Sequence, residues 1–352
     1  MTVNNVRTFV DLRSDTVTQP TPAMRDAMFK AQVGDDVYGE DPTVIELEAL
    51  ASRITGKESA LFVASGTMGN VAATMVHTRR GDELVCGIKS HIYRNEQGAM
   101  ASICGVQART IDEETNGTLD INKIESVIQG SDYHHAITRV VAIENTHNMC
   151  GGIPLSMDYV SSLGYIVQKH GLKLHIDGAR IFNASVALNV PVIDILSPAD
   201  SVSICLSKGL GSPVGSVLCG NSQFIDMARR ARKVLGGGLR QSGILAAAGI
   251  ISLTEMIDRL SIDHQNARLL SDGFSRIPGI YLHHKSPATN MVYVGLKSNV
   301  PFTGVELRDK LKAEGILTDL VSEDSFRFVT HYGIDKDMIE KTIQVFSNAL
   351  AD

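Results

Sequence analysis

The sequence has few cysteines and no Cys-x-x-Cys pair, and it contains no tryptophan. The five cysteines are odd in number and scattered along 352 residues, at Cys86, Cys104, Cys150, Cys205 and Cys219. This usage argues against a disulfide framework or a structural zinc site and favours reduced thiols inside a cell.

An excess of positive charge and long apolar runs are also missing. The formal net charge is -6 and the pI is near 6.0, so no general attraction to nucleic acid or anionic lipid is expected. No apolar run is long enough for a secretory signal or a membrane span. We therefore expect a cytoplasmic protein that binds neither nucleic acid nor membrane.

The composition that is present, 43% hydrophobic and 20% charged residues, is typical of a globular chain with one large core and a smaller second one. Short apolar segments alternate with helical patterns over most of the chain, which predicts an α/β fold with a mostly parallel central sheet flanked by helices. The pattern changes near the end to a compact α+β region. We predict an N-terminal arm (1–20), a large domain (21–255) and a small C-terminal domain (256–352).

Helix starts are marked by capping residues. Thr21 followed by Pro22 predicts a helix that continues to about Ala31. Ser65-Gly66-Thr67 follows an apolar segment and predicts a second helix start with free backbone amides. A further helix is expected from about Tyr93 to Ala99.

The segment from Ser201 to Gly211 is an apolar run that ends in Lys208 and glycines. It predicts a buried strand that delivers a lysine into a site, where a desolvated amine can act as a nucleophile. The alternative is a lysine that turns out to solvent at the end of the strand.

A second strand ends in Asp177, with Arg180 close behind it, and strand alternation places His175 and Asp177 on one face. By itself this segment also fits an ion pair between Asp177 and Arg180 that caps a helix. Together with Lys208 it fits a pyridoxal phosphate enzyme, in which a lysine binds the cofactor covalently and an acid keeps the ring nitrogen protonated. Ser65-Gly66-Thr67 would bind the phosphate at a helix N-terminus, and His91 could stack on the ring.

Two other interpretations are open from the residues alone. The glycines between Gly209 and Gly215 could belong to a dinucleotide-binding loop, although their spacing departs from G-x-G-x-x-G. His147, His175 and Asp177 could hold a metal ion on residue type, although nothing in their spacing favours a tetrahedral site.

From residue 10 to the end, the chain resembles the low-specificity L-threonine aldolases, which have the aspartate-aminotransferase-like fold (type I) of PLP enzymes. The resemblance is carried by long motifs in order: VDLRSDTVTQPT at 10–21, VGDDVYGEDP at 33–42, SGTMGN at 65–70, IENTHN at 143–148, HIDGARIFNA at 175–184, CLSKGLGSPVGS at 205–216 and LGGGLRQSG at 235–243.

The resemblance implies pyridoxal 5′-phosphate as cofactor and a role for each matching residue. Lys208 would bind the cofactor covalently, Asp177 would pair with the ring nitrogen, and His91 would stack over the ring. The other cofactor-binding positions implied are Gly66, Thr67, Arg180, Ser207, Lys233 and Arg240, with Lys233 and Arg240 reaching the phosphate of a neighbouring subunit. A homo-oligomer, in particular a tetramer built of dimers, is therefore expected.

The implied substrate is a β-hydroxy-α-amino acid. Its carboxylate would be bound by Ser14, Arg180 and Arg327, with Tyr38 also in the substrate site. His134 matches the family's second histidine, although the neighbouring His135 leaves open which of the two faces the site.

The expected reaction is retro-aldol cleavage of L-threonine or L-allo-threonine to glycine and acetaldehyde, with His91 or His134 as the base. A β-eliminating lyase or a serine hydroxymethyltransferase of the same fold is the alternative.

Overall fold

The computed structural model describes residues 9–351, which form two compact units. The large unit spans Pro20–Asp258, and the described part of the small unit consists of residues 9–19 and 259–351. The first residues of the described chain therefore belong to the same unit as the C-terminal residues, a grouping that the sequence analysis did not predict.

The strands in chain order are β1 (Val10–Asp11), β2 (Ser59–Val63), β3 (Glu83–Gly87), β4 (Gln107–Ile111), β5 (Thr138–Glu144), β6 (Lys173–Asp177), β7 (Ser201–Cys205), β8 (Ser216–Gly220), β9 (Ile280–Leu282), β10 (Met291–Leu296), β11 (Ile316–Leu317), β12 (Asp319–Leu320) and β13 (Ser325–Val329). The large unit contains a seven-stranded sheet in the order β2-β8-β7-β6-β5-β3-β4. All of its strands run in one direction except β8, which is antiparallel to both of its neighbours. The predicted α/β class with a mostly parallel sheet is confirmed.

The helices are α1 (Pro22–Lys30), α2 (Pro42–Thr55), α3 (Gly66–His77), α4 (His91–Arg94), α5 (Ala99–Ser102), α6 (Ile121–Val127), α7 (Met157–Lys169), α8 (Ile181–Leu188), α9 (Val192–Leu196), α10 (Ser222–Val234), α11 (Gly243–Glu255), α12 (Leu260–Phe274), α13 (Gly304–Ala313) and α14 (Lys336–Ala351). Within residues 9–351, no helix combines the length and the apolar character that a bilayer crossing requires.

Both faces of the large sheet are covered by helices. On β2, Leu61 and Val63 pack against α3 and α10, while the alternating residues Ala60 and Phe62 are buried on the opposite face, where α2 lies. A strand buried on both faces reads as a continuous apolar run, as the sequence of β2 does.

Two of the predicted helix starts are confirmed by their caps. The Thr21 hydroxyl accepts a hydrogen bond from the Met24 amide at 3.1 Å, and Pro22 is the first residue of α1. The Ser65 hydroxyl accepts from the Met68 amide at 3.1 Å at the start of α3. In each case the side chain satisfies an amide that has no partner within the helix.

The predicted helix from Tyr93 to Ala99 is wrong. The chain forms the two one-turn helices α4 and α5 instead, because Gln97 and Gly98 take left-handed backbone conformations, with φ of 53° and 64°. This break lies directly after Glu96, whose side chain is part of the site described below.

The small unit combines a four-stranded antiparallel sheet in the order β12-β13-β10-β9 with a parallel pair of β1 and β11. Val10 and Leu12 are buried in its core, where four phenyl rings pack together, those of Phe274, Phe326, Phe328 and Phe346.

Candidate active site

The polar residues singled out in the large unit follow strands that end at the same edge of the sheet. Open parallel sheets bind their ligands at this carboxyl edge. The residues there are Ser65, Gly66 and Thr67 after β2, His91 after β3, Glu144 at the end of β5, Asp177 at the end of β6, and Ser207 and Lys208 after β7.

Asp177 is a buried carboxylate, 4% exposed, and the hydrogen bonds that it accepts from the described residues come from neutral groups. Asn70 Nδ2 donates to its Oδ2 at 2.8 Å, and the Ala179 amide donates to its Oδ1 at 3.1 Å. Among the described residues it makes no hydrogen bond or ion pair with Arg180, so the helix-capping ion pair that the sequence left open is not formed. A buried carboxylate of this kind is suited to receive a cationic group from a ligand.

His91 lies beside Asp177 and is held by the second buried acid of the edge, Glu96. The ring Nδ1 of His91 is 2.9 Å from Glu96 Oε1, and Asn70 Nδ2 donates to the same oxygen at 2.8 Å. The hydrogen bond with Glu96 and the charge of Asp177 raise the pKa of His91, against burial and the charge of Lys208. Burial raises the pKa of the Glu96 carboxyl.

A buried hydrogen-bond chain continues from Asn70 into the core. Asn70 Oδ1 is 3.1 Å from His175 Nε2, His175 Nδ1 is 2.9 Å from Ser201 Oγ, and the same hydroxyl is 2.8 Å from His77 Nε2. Burial lowers the pKa of His175 to about 4 and that of His77 to about 3. Both imidazoles are therefore neutral at pH 7.

The N-terminus of α3 offers amides to an anion. Ser65 satisfies the Met68 and Gly69 amides, and among the described residues the amides of Gly66 and Thr67 make no hydrogen bond. A Cβ at Gly66 would lie 2.7 Å from Cys205 Sγ, so this turn approaches the end of β7, two residues before Ser207. The free amides and the positive helix end fit a phosphate group.

Lys208 is half-buried in a tight turn that follows β7. The Gly211 amide donates to the Lys208 carbonyl at 2.9 Å, and Gly211 and Gly215 have φ of 79° and 106°, values that favour glycine. The chain then enters the antiparallel strand β8, not a helix. The dinucleotide-binding interpretation is therefore wrong, since that motif needs a helix directly after its glycines.

The loop that carries His91 is anchored by two more buried acids. The His91 amide donates to Glu144 Oε2 at 2.8 Å, and the Lys89 amide donates to Glu113 Oε1 at 2.7 Å. Glu113 Oε1 is also 3.2 Å from His147 Nε2. These contacts hold the backbone of His91 while Glu96 holds its ring.

The metal site considered from residue type is not supported. His175 uses both ring nitrogens in hydrogen bonds with Asn70 and Ser201. His147 likewise uses both, with Glu113 and with the Met149 amide. Neither histidine has a lone pair left for a metal ion.

Of the residues predicted to bind the substrate carboxylate, Arg180 lies in the large unit, at the start of α8 and 6% exposed. Ser14 and Arg327 lie in the small unit, and the structure brings them close together. Arg327, on β13, donates from Nη2 to the carbonyl oxygen of Arg13 at 3.0 Å, next to Ser14. The Ser14 hydroxyl accepts from the Thr16 amide at 3.2 Å.

Tyr38, Lys233 and Arg240 lie elsewhere in the large unit. Tyr38 and Lys233 line a cavity of about 690 Å³, together with Arg229, Arg230 and Asp36. Arg240 is exposed and pairs with Asp35, with 3.0 Å between Nη1 and Oδ2. Among the described residues, no hydrogen bond or ion pair links these three side chains to Asp177 or Lys208.

His134 is exposed, and its Nδ1 is 2.8 Å from Asp132 Oδ1. Its ring stacks on Tyr133, and His135 beside it is also exposed. Within one chain neither histidine contacts the residues at the carboxyl edge of the sheet.

Sequence reasoning missed Asn70 and Glu96, which join Asp177 to His91. A signal for Asn70 was present, because it lies one helical turn after Gly66 and so on the same side of α3 as the free amides. Glu96 had none: it reaches His91 only because the expected helix is broken at Gln97 and Gly98.

The chain is similar to known proteins over nearly its whole length. The family model described as beta-eliminating lyase matches residues 11–297. A probable low-specificity L-threonine aldolase 2 of Arabidopsis thaliana is 46% identical over 98% of this chain and 98% of its own. The low specificity L-threonine aldolase of Escherichia coli K12 is 41% identical over 94% and 96%.

Solved structures show the same fold. A threonine aldolase of Leishmania major superposes with a TM-score of 0.83, at 21% identity, over 97% of this chain and 99% of its own. A structure of SPT with PLP superposes with a TM-score of 0.75, at 16% identity, over 97% and 87%.

Proposed function

This chain belongs to the low-specificity L-threonine aldolase family and is a carbon–carbon lyase; on that premise we propose that it uses pyridoxal 5′-phosphate to cleave L-threonine and L-allo-threonine to glycine and acetaldehyde. The observation that carries the proposal is the carboxyl edge of the large sheet. There the described residues bring together a buried carboxylate that accepts hydrogen bonds from neutral groups, a lysine and the free amides of a helix N-terminus.

The residues at this edge fit the cofactor by their chemistry. Asp177 supplies a buried negative charge for the protonated ring nitrogen, and Lys208 supplies the amine for covalent attachment. The amides of Gly66 and Thr67, with the hydroxyl of Ser207, would bind the phosphate. His91 would stack on the ring.

When bound, the cofactor ring accepts the electron pair that is left when the Cα–Cβ bond breaks. We assign to Ser14, Arg180 and Arg327 the binding of the substrate carboxylate, with Tyr38 also near the substrate. Two arginines can bind a carboxylate through paired hydrogen bonds, and this would align the breaking bond with the ring. His91 or His134, directly or through a water molecule, would accept the proton of the β-hydroxyl group as the aldehyde leaves.

The deciding experiment is a product assay on the purified full chain with PLP and L-threonine. We expect glycine and acetaldehyde in equal amounts without added folate. An α-keto acid and ammonia would instead indicate a β-eliminating lyase, and activity that requires folate would indicate a hydroxymethyltransferase. The ratio of kcat/KM for L-threonine and L-allo-threonine then defines the preference at the β-carbon.

Lys208→Ala provides the matched test of the site. We expect it to abolish both turnover and the visible absorbance of the lysine-bound cofactor. Lys30→Ala, which removes an exposed lysine paired with Asp26, should change neither. Full activity of the Lys208 variant would refute the assignment.

We also propose that the enzyme is a homo-oligomer, in which Lys233 and Arg240 of one subunit reach the cofactor phosphate of another. The cavity beside Lys233 is rich in cationic side chains. Around it lie large apolar side chains that are exposed in a single chain, such as Tyr38 at 75% and Val234 at 77%. Exposed apolar groups beside a charged cavity are typical of a surface that a second copy covers. We expect a tetramer built of dimers.

A further inference from the structure

Glu96 is a buried acid at the site to which none of the roles above is assigned. It is 3% exposed, and a single oxygen, Oε1, is within hydrogen-bond distance of two groups: His91 Nδ1 at 2.9 Å and Asn70 Nδ2 at 2.8 Å. Asn70 Nδ2 also donates to Asp177 Oδ2 at 2.8 Å. The Asn70 amide nitrogen therefore connects Glu96, which contacts His91, with Asp177 at the end of β6.

The orientation of the Asn70 amide is determined by the groups behind it. Its nitrogen has two hydrogens, and both are used on carboxylate oxygens. Its oxygen must then accept from His175 Nε2–H. Since burial lowers the pKa of His175 to about 4, its ring is neutral and Nδ1 is an acceptor for the Ser201 hydroxyl.

The chain of hydrogen bonds ends at His77, and each direction in it follows from the two carboxylates at its start. Ser201 donates its only hydrogen to His175, so its oxygen accepts from His77 Nε2–H. The amide of Asn70 cannot flip without turning its oxygen, which has no hydrogen to donate, toward the buried carboxylates of Glu96 and Asp177. Asn70 therefore presents its hydrogens to Glu96 and Asp177 permanently.

Glu96 contacts one of the two ring nitrogens of His91, and this determines which nitrogen can contact other groups. With Nδ1 directed to Glu96 Oε1, Nε2 is the ring nitrogen left for other groups. Four charged or titratable groups surround this histidine: Glu96, Asp177 and Lys208 act on the ring, and Glu144 accepts from its backbone amide.

We propose that Glu96, held in place by Asn70, is a positioning residue for His91, which fixes the orientation of the ring and keeps the proton on Nδ1 so that Nε2 faces the reacting groups. This inference rests on the proposed function, in which His91 stacks on the cofactor ring. A carboxylate that orients a histidine by its distal nitrogen is a general device for setting the tautomer of a base.

The test uses Glu96→Gln and Glu96→Leu in the full-length protein, purified with and without PLP. Both contacts of Glu96 go to one oxygen, so glutamine can keep them with its amide oxygen and lose only the charge. Leucine removes the acceptor altogether. Nitrogen-15 NMR of the histidine rings reports the tautomer and the pKa of His91, with the resonance assigned from a His91→Asn variant.

In the wild type we expect His91 to carry its proton on Nδ1. Glu96→Gln should keep this tautomer and lower the pKa of His91, and the limb of the pH profile of kcat/KM that reports His91 should move to lower pH by the same amount. Glu96→Leu should give a mixture of tautomers and reduce kcat by roughly tenfold or more.

Glu83→Gln is the matched control. Glu83 is equally buried but lies at the opposite end of β3, where it contacts Arg109, Gln107 and Thr138. This variant should lose stability without changing the tautomer or the pKa of His91.

Any one of three results would overturn the proposal. The first is a wild-type His91 that carries its proton on Nε2. The others are a pKa of His91 that Glu96→Gln does not change and a tautomer of His91 that Glu96→Leu does not change. These results concern the histidine and are independent of the product formed. A failure of the proposed function would appear separately, as wild-type protein that releases no acetaldehyde.

Discussion

At the scale of single residues, the buried acids of this site differ in their hydrogen-bond partners. Asp177 and Glu96 are both buried acids, yet within residues 9–351 the hydrogen-bond donors of Asp177 are neutral, whereas Glu96 is bonded to a histidine. The first arrangement leaves a negative charge for a ligand, and the second uses it to orient a neighbouring ring. The identity of the residue type, an acid, does not distinguish these roles, but its contacts do.

Arg327→Ala tests the proposal that Ser14, Arg180 and Arg327 bind the substrate carboxylate. Loss of charge-assisted hydrogen bonds worth about 1.5–3 kcal/mol should raise the KM for L-threonine by roughly ten- to a hundredfold. PLP affinity should change little, since the residues proposed to bind the cofactor lie in the large unit. Steady-state kinetics and a PLP titration measure the two effects.

The control for this variant is Arg308→Ala, which removes an exposed arginine of the same unit that pairs with its neighbour Asp309. It should behave as the wild type. An unchanged KM for Arg327→Ala would show that this residue does not bind the substrate carboxylate.

At the scale of secondary-structure elements, the site depends on the close approach of α3 to the end of β7. The first turn of α3 lies against the end of β7 because residue 66 has no side chain. The turn between α4 and α5 likewise depends on left-handed backbone at Gln97 and Gly98, and it returns Glu96 to His91. Both features arise from backbone geometry at a few positions.

Gly66→Ala tests the approach of α3 to β7. The added methyl group would lie 2.7 Å from Cys205 Sγ, so the helix start must move away from the strand end. We expect weaker PLP binding, by roughly tenfold or more, since the amides would no longer converge on the phosphate with the residues after β7. A PLP titration followed by absorbance measures the loss.

Gly130→Ala serves as the comparison, because a Cβ at this position meets no atom within 4 Å. Its PLP affinity should match that of the wild type. Equal affinity in both variants would show that the Gly66 turn does not contribute to phosphate binding.

At the scale of the whole molecule, buried neutral histidines make stability depend on pH. The pKa of His175 is about 4 and that of His77 about 3 in the folded protein, against about 6.5 in an unfolded chain. Below pH 6.5 the unfolded state therefore binds protons that the folded state excludes. Stability falls as the pH drops from about 6.5 towards 4, by about 1.4 kcal/mol per pH unit for each histidine.

Urea unfolding at several pH values between 7 and 4.5 measures this slope. His175→Gln should have a shallower slope, by about 1.4 kcal/mol per pH unit, because one buried titrating group is gone. His135→Gln, which removes an exposed histidine, should keep the wild-type slope. A slope that His175→Gln does not change would show that this ring is protonated in the folded state.

Shared sites between subunits can be tested by mixing two inactive variants. In a dimer of Lys208→Ala with the double variant Lys233→Ala and Arg240→Ala, one site combines an intact lysine with intact phosphate ligands from the other chain. Random pairing should restore roughly a quarter of wild-type activity. If Lys233 and Arg240 act within their own subunit, the mixture stays inactive.

Both outcomes require the chains to associate. Sedimentation measures the oligomeric state of each variant alone and of the mixture, and a monomer of the wild type would contradict the proposed shared site.

The sequence by itself determined the fold class and most of the residues at the carboxyl edge. Strand and helix patterns are local properties, so the alternation of apolar runs, the caps at Thr21 and Ser65, and the strand-end positions of Asp177 and Lys208 could be identified from neighbouring residues.

Only the tertiary structure decided which side chains touch. Asn70 contacts Glu96 and Asp177, which are 26 and 107 residues away in the sequence, because α3, the break after α4 and the end of β6 converge on one point. His91 and Glu96 are only five residues apart, and they meet across the break between α4 and α5. The joining of Val10 and Leu12 to the C-terminal core was also decided there, by the pairing of β1 with β11. Local patterns carry no information on these pairings, because burial selects apolar residues without specifying their partners.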